Sequence, residues 1–148
     1  MSKNTSIPVS TLGTPRIGPR RELKFALEAY WAGKSDLASL QEQAAALRCA
    51  NWARQQGLGV DHIPSNDFSL YDHVLDTAVM VGAIPSVYDW QGVLIRHDTY
   101  FAMARGDTVE ESCCGKTTNL GVPALEMTKW FDTNYHYMVP ELSADQQF

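Results

Sequence analysis

Lys129 stands among Trp130, Phe131, Tyr135, His136 and Tyr137, within residues 126–141, which read EMTKWFDTNYHYMVPE. An ammonium group beside aromatic rings, where a low effective dielectric strengthens its pull on negative charge, suits a carboxylate or a similar anion. A second set of cations comes early: Arg16, Arg20, Arg21 and Lys24 fall within nine residues. Arg21 and Lys24 are three apart on a predicted helix, so both project from one face of its first turn, where free N–H groups and the dipole also favour anions. Cations are repelled there, and a bound anion would offset the repulsion. Plainer accounts stand beside both: a solvated lysine on a core strand, and a basic turn in which Arg20 or Lys24 pairs with Glu28.

Other chemistries fail on spacing. Gly115-Lys116-Thr117 resembles the end of a phosphate-binding loop, but the required earlier glycine is replaced by Glu110. Gly57-x-Gly59 lacks a third glycine and follows a helix, so it is no dinucleotide fingerprint. His62, His73, His97 and His136 show no HxxxH spacing and the cysteines no CxxC, so order alone yields no metal site. A metal at the adjacent Cys113 and Cys114 would be adventitious. Asp61-His62 and Asp72-His73 are poor catalytic pairs because sequence neighbours on a helix or strand point apart. Arg105-Gly106-Asp107 is taken as coincidence. No catalytic residue is assigned.

The elements that must carry the cations can be read from periodicity. Residues 1–10 read as a flexible lead-in, and 9–13 as a short strand turning at Thr14-Pro15. Gly18-Pro19 opens a helix over about 20–32, with Leu23, Leu27 and Tyr30 as its buried stripe. Gly33 ends it, and Ser35 is the expected cap of a long amphipathic helix to Gln56, buried along Leu37, Leu40, Ala44, Leu47 and Asn51. Residues 60–64 suit a buried strand, after which Asn66 and Asp67 would occupy the usual ligand position of an α/β sheet. Ser69 to Asp72 reads as a capping box for a third helix along Leu70, Val74, Ala78 and Val81. A short helix follows at 100–105, ended by Gly106, and 107–122 is a polar loop. From Asn134 the alternation is that of a strand stopped by Pro140. Strand, helices, strand in that order predicts parallel pairing.

With 148 residues, 45% hydrophobic, the chain can build one real core. A net charge of −5 argues against general nucleic-acid or anionic-membrane binding, so any anion site must be local. No signal segment or membrane-spanning run is read, which implies a cytoplasmic protein. Three cysteines, an odd number, predict free thiols.

Residues 12–18 (LGTPRIG) with Arg21-Glu22-Leu23-Lys24, then 67–76 (DFSLYDHVLD), then 126–141, match in order three long motifs. Together they closely resemble cobalamin-independent methionine synthase, the 5-methyltetrahydropteroyltriglutamate–homocysteine methyltransferase family. The resemblance implies two (β/α)8 barrels, with zinc in the C-terminal one activating homocysteine as a thiolate and no cobalamin. It implies that Arg21, Glu22, Leu23, Lys24 and Lys129 contact the folate polyglutamate. The family's chains are several times longer. Residues 11–148 are therefore expected to be an incomplete α/β portion of the N-terminal TIM-like barrel, with about three parallel strands, no zinc ligands and no methyl transfer alone. The alternatives are a stand-alone polyanion or folate-polyglutamate binding module, and a structural remnant that needs a partner chain.

Overall fold

Leu23, Leu27 and Tyr30 recur at helical spacing, and all three are buried along the first helix of the computed structural model, which describes residues 7–92, 94–107 and 121–144. The chain divides into two compact units, Met1–Leu70 and Tyr71–Phe148.

The first unit is built on two helices, α1 (Glu22–Trp31) and α2 (Leu37–Gly57), which pack on each other. Gly33 takes φ 67°, a left-handed conformation that costs glycine little, and Lys34 N–H returns to Ala29 O at 2.8 Å. The cap of α2 is Asp36, whose Oδ1 accepts from Ser39 N at 2.8 Å, one residue later than expected at Ser35. Leu40, Ala44 and Leu47 are buried as predicted, but Gln55 replaces Asn51 at the far end of the stripe. Its Oε1 accepts from Thr11 Oγ1 at 2.5 Å, which makes a buried amide affordable.

The second unit contains α3 (His73–Met80), a 3-10 turn at Ser86–Tyr88, α4 (His97–Arg105), and strands β1 (Met127–Lys129) and β2 (His136–Met138). α3 starts after Asp72, not at Ser69, and it buries Leu75 and Ala78. α4 begins three residues before the predicted start and ends at Gly106 as expected. Its run Tyr100, Phe101, Ala102, Met103 and Ala104 is buried throughout, with Met103 fully covered, while Arg105 at its end is exposed.

The strand expectations need correction. β1 and β2 pair antiparallel in a two-stranded sheet, with Met127 opposite Met138, Thr128 opposite Tyr137 and Lys129 opposite His136. The stretches 9–13 and 60–64 form no named strands; they meet in one parallel bridge, Ser10 to His62. Val9 O there accepts from Asp61 N at 2.9 Å and His62 N at 3.1 Å. A parallel ladder needs neighbours that cover both its faces, whereas a hairpin closes locally over a few residues. The architecture is α/β without the three parallel strands expected of a barrel portion. No described helix is long and apolar enough to cross a membrane. Cys113 and Cys114 lie outside the described residues; Cys49 is a free, exposed thiol.

Candidate functional site

In the first unit the Arg-Glu-Leu-Lys run forms the opening turn of α1, and each residue has a distinct environment. Arg21 caps the helix in a left-handed conformation, φ 65° and ψ 32°, without a side-chain cap bond, and its side chain is exposed. Its N–H donates to Gly18 O at 3.1 Å. Glu22 folds back on the preceding turn: Oε2 accepts from Arg20 N at 2.9 Å and Oε1 from Arg20 Nε at 3.1 Å. The backbone N–H groups of Glu22 itself and of Arg20, with the Arg20 side chain, hold its carboxyl below the usual carboxylate range. Leu23 is wholly buried and gives its N–H to Ile17 O at 3.1 Å, so it anchors the turn. Lys24 lies 3.4 Å from Glu28, the pairing foreseen in the plainer account.

The loop that presents this turn is fastened to the second motif. Asp67 Oδ2 accepts from Thr14 N at 2.8 Å, so the carboxylate predicted to face a ligand closes a structural turn instead. Gly13 has φ +121°, and a Cβ there would strike the Asp67 side chain, with Oδ2 only 2.6 Å away. Arg16 Nη1 donates to the carbonyls of Ser69 and Leu70, each at 3.2 Å. These partners are more than fifty residues apart in sequence, and nothing local signals them.

In the second unit Lys129 is exposed at the end of β1. The hairpin continues through Trp130 N–H to Tyr135 O at 2.8 Å. Trp130 meets Tyr137 edge-on with ring centroids 5.6 Å apart, and Phe131 likewise at 5.1 Å. The hairpin is tied down by Asp72, a buried carboxylate that caps α3 through Leu75 N at 3.0 Å. The same side chain accepts from Tyr135 Oη at 2.6 Å and Met138 N at 3.2 Å. Asp72 was legible as part of a capping box; its two distant donors were not. Among the described residues, Arg20, Lys24 and Arg96 have carboxylates within 4 Å, and neither Arg21 nor Lys129 does.

The family model described as "Cobalamin-independent synthase, N-terminal domain" matches residues 8–148. The chain belongs to this family. A 5-methyltetrahydropteroyltriglutamate–homocysteine methyltransferase of Rhodopseudomonas palustris (strain TIE-1) is 65% identical over 153 residues, covering 98% of this chain and 19% of the relative. The Caulobacter vibrioides protein of the same name is 63% identical over 150 residues, covering 97% and 19%. That of Bradyrhizobium diazoefficiens is 65% identical over 146 residues, again with 97% and 19% covered. The chain thus spans about a fifth of the length of these synthase relatives.

Proposed function

We propose that this synthase domain holds the polyglutamate tail of 5-methyltetrahydropteroyltriglutamate through Arg21, Lys24 and Lys129. The supporting observation is the exposure of Arg21 and Lys129 with no carboxylate in salt-bridge range among the described residues, on a chain of net charge −5. Glu22 shapes the turn and Leu23 anchors it. An exposed ion pair contributes about 0.2–1 kcal/mol, so one cation alone holds no ligand, and each of these cations is proposed as one contact among several.

Zinc supplies the family's thiol activation, but among the described residues no three His, Cys, Asp or Glu side chains gather to hold a metal. The described residues do not fit the ion. The 148-residue chain is expected to show no turnover of homocysteine by itself.

Calorimetric titration with the triglutamyl folate tests the proposal. Saturable binding is expected to weaken between 50 and 200 mM salt, as screening predicts, and to weaken about fivefold in Lys129→Ala and in Arg21→Ala. No saturation at millimolar ligand sinks it, and turnover with homocysteine and zinc overturns the claim of inactivity.

A further inference from the structure

The antiparallel register sets Lys129 directly opposite His136. Opposite residues of such a pair share one face of the sheet, with Cβ atoms about 4.5–5.5 Å apart. Both side chains are exposed. The residue facing this lysine is therefore an imidazole rather than an acid. The His136 ring is also fixed: Nδ1 lies 3.2 Å from Asn134 O. A carbonyl only accepts, so Nδ1 carries the hydrogen and Nε2 becomes a donor only when the ring takes up a proton.

From this juxtaposition we infer that His136 and Lys129 together grip one carboxylate of the polyglutamate tail, and that binding draws a proton onto His136. The inference rests on the tail-binding role proposed for Lys129. A carboxylate seated between the two side chains favours the protonated ring by its opposite charge. The other titratable groups on the element packed against β2 are Asp72, His73 and Asp76 at the start of α3. Asp72 is taken up by Tyr135, Met138 and Leu75, and Asp76 Oδ1 accepts from Tyr100 Oη at 2.6 Å. On the hairpin and its flanks lie Asp132, Glu126 and Glu141, none of which is within 4 Å of Lys129 as an ion pair.

Calorimetry of the 148-residue chain with the triglutamyl folate, repeated in buffers of different ionisation enthalpy, separates the outcomes. The wild-type chain should take up a fraction of one proton on binding. His136→Ala should lose that uptake and bind about fivefold more weakly; His136→Gln, which keeps a donor without a titratable ring, should regain affinity but not proton uptake. If Lys129→Ala weakens binding while His136→Ala leaves affinity and proton uptake unchanged, the inference falls and the tail-binding proposal stands. If the wild-type chain does not bind at all, both fall.

Discussion

Asp72 gathers three donors onto one buried carboxylate, and two of them come from the hairpin more than sixty residues away. Removing it leaves Leu75 N–H, Met138 N–H and the Tyr135 hydroxyl without their acceptor in a place water reaches poorly. A lost N-cap costs about 1 kcal/mol and each stranded buried donor about 1–3 kcal/mol, partly relieved by relaxation. Asp72→Ala is therefore expected to destabilise the chain by about 2–4 kcal/mol in urea unfolding, and Asp72→Asn by less, since an amide oxygen still accepts. Equal losses in the two variants would show that the acceptor role is not what matters. At this scale sequence inspection succeeds where partners are local. The pairing of Lys24 with Glu28 and the burial of Leu23, Leu27 and Tyr30 follow from helical spacing alone. Asp67 and Arg16 were opaque because their partners lie across the fold.

Among the elements, the helices were readable, and so was β2, which lies within the alternation that starts at Asn134 and stops at Pro140. α1, α2 and α4 each carry either a 3.6-residue apolar stripe or a glycine stop. β1 and β2 are three residues long, so alternation over 134–139 was visible but its partner, Met127–Lys129, was not. Pairing is a property of two segments, and a strand's own sequence does not say whether its neighbour runs parallel. The loop before α1 is an element of a different kind, held in shape by the closeness of Gly13 to Asp67. Gly13→Ala combines a forbidden φ with a collision against a side chain already bonded to Thr14. Gly59→Ala, at φ +79° with open space around it, carries only the conformational cost of about 1 kcal/mol. Gly13→Ala should therefore lose at least about 1 kcal/mol more than Gly59→Ala in thermal or urea unfolding. Equal losses would mean that the loop moves away from Asp67 freely.

For the whole molecule, long ordered motifs identified the family, because three matches in sequence order are far more specific than any composition. A net charge of −5 leaves few cations for the proposed anion contacts; of the three, Arg21 and Lys129 have no acidic partner within 4 Å among the described residues, whereas Lys24 pairs with Glu28. The expected parallel sheet did not follow, since element order constrains pairing only when the strands are long enough to form a ladder. Arg21 is the place where the demands on the molecule diverge. A non-glycine residue held at φ 65° costs on the order of 1–3 kcal/mol, and glycine at this position would remove most of that cost. Arg21→Gly is expected to raise the melting temperature while weakening binding of the triglutamyl folate, and a lowered melting temperature would refute this. A selection for heat resistance alone would therefore reward the loss of this arginine, and a thermostabilised variant would have to be screened for ligand affinity before its gain counted as an improvement.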